Sequence, residues 1–263
     1  MSKLKIIIQG WAVLPVFLFY TEFLYGRLYG ILGNHVDNTL TTICRVLEET
    51  LGHLMVSVLV WLIIRISFKE ITRKFFLCKN FKLYFFTILT LTFWIFAYQK
   101  ISSLFPKEYL DSFDESLFQK PHIIIATLIV APIFEEIIFR GLVLEKLLTR
   151  LSPIWAILHS SLIFGIVHIN LVSIVNAILI GLLLGWVYFR TKSILICMIL
   201  HFLVNLISIN LPDVDYFFQK NFNNDSCFMF IMVCLVGIVL CIVGLKNYFQ
   251  KENEQTNAQT PSL

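Results

Sequence analysis

Charge is what this sequence has least of. Asp, Glu, Lys and Arg make up only 14% of the 263 residues, against about a quarter in an ordinary soluble domain. That shortage excludes a soluble globular chain, and a nucleic-acid-binding surface is equally absent. The six cysteines (Cys44, Cys78, Cys197, Cys227, Cys234 and Cys241) form no C-x-x-C pair. Cys227, Cys234 and Cys241 recur every seventh position and are expected to pack on one helix face as small apolar side chains rather than as a metal or redox site. No cysteine near the C-terminus offers a lipidation site. No internal repeat and no long linker break the chain, so one transmembrane domain over 1–249 is expected, followed by a disordered polar tail over 250–263.

Apolar side chains are abundant instead. They account for 58% of the residues, 25 of them Phe, and the mean hydropathy is +0.81. A bilayer core needs roughly 20 apolar residues per helix, so the length allows about eight spans. The expected fold is an all-α polytopic membrane bundle of about eight transmembrane helices. Spans are predicted at about 6–25, 52–68, 83–99, 123–150, 153–170, 171–189, 193–211 and 227–245. The 26–51 connection is long enough for an interfacial helix. The basic, apolar start lacks an A-x-A-like cleavage site and is expected to remain as the first span.

Loop charges set an orientation. Lys69, Arg73, Lys74, Lys79 and Lys82 lie between spans two and three. Lys146 and Arg150 follow span four, Arg190 and Lys192 follow span six, and Lys246 and Lys251 follow span eight. The alternate connections carry Glu108, Asp111, Asp114 and Glu115, then Asp213, Asp215 and Asp225. An excess of Lys and Arg on one side places both termini in the cytoplasm. The lipid bilayer is thus one partner, and the Phe-, Ile- and Lys-rich composition suggests a bacterial plasma membrane. The sequence leaves oligomeric state open.

Against this background three polar groups stand out, because ionisable residues inside spans are costly and by default functional. They are Glu135, Glu136 and Arg140 in EEIIFR, Phe164 and His168 in FGIVH, and His201 and Asn205 in HFLVN. Glu136 and Arg140 are four apart and can pair on one face. Glu135 is rotated from them by about 100° and can face elsewhere. Phe164 lies one turn before His168, where it can shape the wall beside the imidazole. Counted from the turn near Arg150, Glu135 and His168 each lie roughly 22 Å into the membrane, and Asn205 lies at about 18 Å from the turn near Ser193. A carboxylate with an imidazole beside it can activate water as a general base. A second histidine and an amide can donate to an oxyanion. The same set could instead hold zinc through Glu135, His168 and His201.

Each group also has a bland reading, a helix staple for Glu136–Arg140 and a packing role for a lone histidine; the three together favour a site. His35, His53, His122 and His159 are expected near interfaces without catalytic roles. Glu22 is expected at the outer interface, Asn176 as a packing hydrogen-bonder, and Gly181 with Gly185 as a close helix contact. A non-catalytic immunity or binding protein is the alternative. A proton-coupled transporter lacks support, since neither paired repeats nor broken helices are visible.

In order, E-E-x-x-x-R, F-x-x-x-H and H-x-x-x-N resemble the CPBP family of CAAX proteases and bacteriocin-processing enzymes, also called Abi, over about 120–210. The resemblance implies an intramembrane endopeptidase similar to type II CAAX prenyl endopeptidases. It implies that Glu135 and His168 activate water, that His201 and Asn205 support the oxyanion, and that Glu136 and Arg140 hold the first motif in place. It further implies a metal-free glutamate mechanism, with no cofactor. The substrate would be a peptide or membrane-associated protein, prenylated or bacteriocin-related, entering from the membrane or the cytoplasmic side.

Overall fold

A computed structural model describes residues 2–20, 39–72, 74–76, 81–102, 120–168, 171–221, 232, 234–239 and 243. Every regular element among them is helical. In chain order we label α1 Lys3–Trp11, α2 Val13–Phe19, α3 Thr39–Ile64, α4 Phe68–Thr72, α5 Phe81–Ser102, α6 Pro121–Leu148, α7 Pro153–Ile166, α8 Leu171–Thr191 and α9 Ile194–Asn221. Four of the helices are long and apolar enough to cross a membrane, namely Thr39–Ile64, Phe81–Tyr98, Pro121–Leu148 and Ser173–Thr191. Two shorter apolar stretches, Pro153–Ile166 and Ile194–Asn210, accompany them. Leu47, Leu51, Leu54, Leu59 and Leu62 of α3 are exposed, the outward apolar face that a lipid solvent accepts.

Several expected boundaries need correction. Residues 39–51 are not a connection. They form the first half of α3, which ends at Ile64 rather than at 68. The helix stops there because Arg65 takes the left-handed conformation, with φ 57. The first apolar stretch is two helices divided at Ala12, not one rod. The fifth ends at Ile166, short of 170. The seventh continues to Asn221. Of the eighth, only 232, 234–239 and 243 are described, all helical. Glu22, His35, Cys78, Cys227, Cys241 and the tail over 250–263 lie outside the described residues.

Contacts divide the chain into two compact units. The first comprises Met1–Cys78 and Lys107–Asn205, and the second comprises Lys79–Pro106 and Leu206–Leu263. In the second unit Cys234 is buried, and Gly237 lies so close to Phe93 that a side chain could not be added without displacing that ring. In the first unit, α7 and α8 form the closest helix pair. Gly165 of α7 faces Ile174 and Ile178 of α8, while Gly181 and Gly185 of α8 face Ser161 and Ile157 of α7. The G-x-x-x-G thus serves the close packing that its spacing suggested. Cys197 is buried and its thiol lies 3.6 Å from the Leu184 carbonyl, a packing position.

One end of this unit is tied by charge. Glu145 at the end of α6 accepts from Lys74 at 2.7 Å, from Lys192 at 3.0 Å and from the Tyr188 hydroxyl at 2.9 Å. The Ile194 amide donates to the Lys74 carbonyl at 2.9 Å, and Ser193 Oγ donates to the Phe76 carbonyl. These bonds fix the segment after α4 against the α8–α9 turn, where Lys192 itself has φ 54.

Candidate active site

The site is built on α6, and α6 is not a regular helix. It runs as α over Pro121–Ile125, π over Ala126–Val130, α over Ala131–Glu136, π over Ile137–Leu144 and α over Glu145–Leu148. A proline inside a helix removes one N–H and crowds the carbonyl of the preceding turn. Pro132 does this here. The Ala131 amide reaches back five residues to the Ala126 carbonyl. In that register the next acceptor, Thr127, would bond residue 132, which has no N–H. The Asn205 side chain supplies the missing donor, Nδ2 to the Thr127 carbonyl at 2.8 Å. Ser160 Oγ likewise donates to the Phe139 carbonyl in the second π stretch, at 3.0 Å. Wide π turns of this kind concentrate at functional sites, and here they flank Glu135 and Glu136.

Glu136 is fully buried and its carboxylate is shared. Oε1 accepts from Arg140 Nη1 at 2.8 Å and from His201 Nδ1 at 2.9 Å. Oε2 is buried without a hydrogen-bond partner. Arg140, 1% exposed, also donates from Nη2 to the Gly181 carbonyl at 3.3 Å and lies 4.8 Å over the Phe164 ring. The expected Glu136–Arg140 pair is therefore present, with His201 as a third member that the sequence did not suggest. No residue spacing signals a bond across 65 positions.

Glu135, one residue back, faces elsewhere as expected. Its Oε2 lies 3.8 Å from His201 Nε2, and its side chain keeps 14% of its exposure. His201 thus has a carboxylate at each ring nitrogen. His168 Nδ1 lies 2.9 Å from the Phe164 carbonyl. A carbonyl can only accept, so Nδ1 is the donor, and a ring with that one proton offers Nε2 as an acceptor.

Phe164 joins the two imidazoles. Its ring stands edge-on to His168 at 4.9 Å and to His201 at 5.8 Å, and it also touches Phe139 at 5.0 Å. The structure therefore brings Glu135, Glu136, Arg140, Phe164 and His201 together, with His168 edge-on to Phe164 and Asn205 one turn beyond His201. Among the described residues no hydrogen bond or ion pair joins Glu135 to His168.

Among the described residues no three His, Cys, Asp or Glu side chains are grouped to hold a metal ion. The alternative zinc set of Glu135, His168 and His201 does not fit one as placed, and we derive no step through a metal.

Two of the remaining histidines lie within helices. His53 sits inside α3, its ring 5.9 Å from that of Phe134. His159 is held within α7 by the Trp11 indole N–H, at 3.2 Å. His122, at the start of α6 where it was placed, is buried.

A comparison with known families covers this same region. Residues 118–207 match the family model for type II CAAX prenyl endopeptidase, Rce1-like. This segment is an Rce1-like domain. It contains Glu135, Glu136, Arg140, Phe164, His168, His201 and Asn205, all the motif residues. The chain is also similar to a Bacillus subtilis (strain 168) protein named "Putative membrane peptidase YdiL", 39% identical over 85 residues. That similarity covers 32% of this chain and 35% of YdiL, so the chain aligns with about a third of its relative's length. No solved structure matches the chain. Residues on either side of this segment, α1 to α5 among them, lie outside the family match.

Proposed function

We propose that the chain is an intramembrane endopeptidase of a bacterial plasma membrane, with eight spans and both termini in the cytoplasm. It hydrolyses a peptide bond in a peptide or membrane-associated protein, prenylated or bacteriocin-related. The observation that carries this reading is the pairing of a half-open carboxylate, Glu135, with His201 at 3.8 Å beside a fully buried Glu136–Arg140 pair. Two adjacent glutamates, one neutralised and one left accessible, are hard to explain as packing alone.

The chemistry follows from the atoms available. In this reading Glu135 and His168 Nε2 hold one water between them. As the water oxygen bonds the peptide carbonyl carbon, its proton passes to this base pair. The carbonyl oxygen gains the negative charge. The N–H of Asn205 not committed to Thr127 is available to that oxygen, as is His201 Nε2. For Nε2 to donate while Nδ1 donates to Glu136, the His201 ring must carry both protons. The C–N bond then breaks, and the proton held by the base pair goes to the leaving amine.

The test is cleavage by the purified chain in detergent, against prenylated CAAX peptides and double-glycine bacteriocin leader peptides. Hydrolysis at a defined bond is the expected result. Binding of a peptide with no cleavage of any would overturn the enzyme in favour of a sequestering immunity protein.

A further inference from the structure

Outside the Rce1-like domain a second group of titratable side chains lies against α6. The Tyr20 hydroxyl donates to Glu49 Oε2 at 3.3 Å. His53, four residues along α3, approaches the Glu49 backbone carbonyl at 2.8 Å through Nδ1, which is 3.8 Å from Glu49 Oε2. The Tyr20 ring stands edge-on to His53 at 5.5 Å. The other side of His53 meets Phe134 at 5.9 Å, and Phe134 directly precedes Glu135. α3 packs along α6 from its start through the second π stretch, so this contact belongs to an extended interface. Depth agrees: His53 is roughly 17 Å from the α3 end at Ile64, and Glu135 roughly 20 Å from the α6 end at Leu148, at 1.5 Å per residue.

A Glu–His pair one turn apart could be a staple within α3. A staple would use Nδ1, and it does. It gives no work to Nε2. Because the Glu49 carbonyl can only accept, Nδ1 is the donor, and a ring with that one proton leaves Nε2 as an acceptor. That atom makes no hydrogen bond among the described residues. The side chains of His53 and Glu49 each retain 13% exposure, so this wall is open on one side. A fixed acceptor inside an apolar span costs free energy unless something donates to it.

We propose that His53, held by Glu49 and Tyr20, is a substrate-positioning residue. Its Nε2 accepts a hydrogen bond from a backbone N–H of an extended peptide that passes over Phe134 towards Glu135. The inference rests on the endopeptidase reading for its ligand, and binding tests it without requiring turnover.

The full chain in detergent, carrying Glu135→Ala, is titrated with a labelled prenylated CAAX peptide and a labelled double-glycine leader peptide. Two substitutions of His53 separate the ring nitrogens. In His53→Asn the amide can reproduce the Nδ1 bond to Glu49 but leaves no atom at Nε2. In His53→Gln a carbonyl oxygen reaches the Nε2 position. The expected result is an affinity about tenfold weaker in His53→Asn and within about threefold of the parent in His53→Gln. Diethyl pyrocarbonate should carbethoxylate His53 in the free protein, and bound peptide should protect it. Equal affinity in the two variants, a loss confined to His53→Gln, or no protection by either peptide would each overturn the proposal. Protection without any cleavage by the unsubstituted chain would sink the endopeptidase reading and leave this contact standing. Normal cleavage with an unchanged KM in His53→Asn would do the reverse.

Discussion

The carboxylate of Glu136 holds the ring of His201, with Oε1 2.9 Å from Nδ1, while the same oxygen takes the Arg140 guanidinium at 2.8 Å. One buried anion therefore does two tasks: it compensates a buried cation, and it fixes which nitrogen of His201 faces Glu135.

These two tasks can be separated. Arg140→Ala and Glu136→Gln each leave an uncompensated group in the core, and breaking a buried pair costs about 3–5 kcal/mol. Folded yield in detergent should fall in both. Replacing the two together by Leu should recover most of the yield, because no buried charge remains. Activity should stay absent, since His201 has lost its anchor. Full yield in both single variants would remove the pair from the core account, and full activity in the double variant would free His201 from Glu136.

In the proposed mechanism Asn205 also has two tasks. Truncating Asn205→Ala removes an oxyanion donor, worth about 10²–10³ in kcat. It also strands the Thr127 carbonyl, at about 1–3 kcal/mol. The prediction is a kcat loss well beyond any rise in KM, with a modest fall in Tm. An unchanged kcat would confine Asn205 to its bond with α6.

Packing gives a prediction unrelated to chemistry. A methyl group on Gly165 would stand 2.3 Å from Ile178 Cγ1 and 3.0 Å from the Ile174 carbonyl. The carbonyl belongs to the backbone and cannot turn away. Gly165→Ala should therefore destabilise by about 1–3 kcal/mol, the range for overpacking. The measurement is thermal unfolding in detergent; an unchanged Tm would mean that the α7–α8 pair separates easily.

Much of the site was legible because its signals are local. Residues four apart share a helix face, so the Glu136–Arg140 pair and the His168–Phe164 stack could be read from spacing. The small residues at 181 and 185 announced a close helix contact in the same way. The misreadings have physical causes too. Arg45, Glu48, Glu49 and His53 make the first half of α3 polar, so it looked like a connection, yet Glu49 is accommodated against Tyr20 and His53 against Tyr20 and Phe134. The π turns were invisible because they sit where α6 meets distant partners, the first at Pro132 with Asn205 of α9 and the second with Ser160 of α7. The Glu136–His201 bond depends on where two distant helices come to rest, which no local pattern carries.

The most direct test of the account is the rate of peptide cleavage by the wild type and by Glu135→Ala, each with and without a zinc chelator. Removing a general base should lower the rate about 10²–10⁴-fold, and the chelator should leave the wild-type rate unchanged. Wild-type turnover in Glu135→Ala would contradict the role of Glu135. A wild-type rate abolished by chelator and restored by zinc would contradict the metal-free water activation.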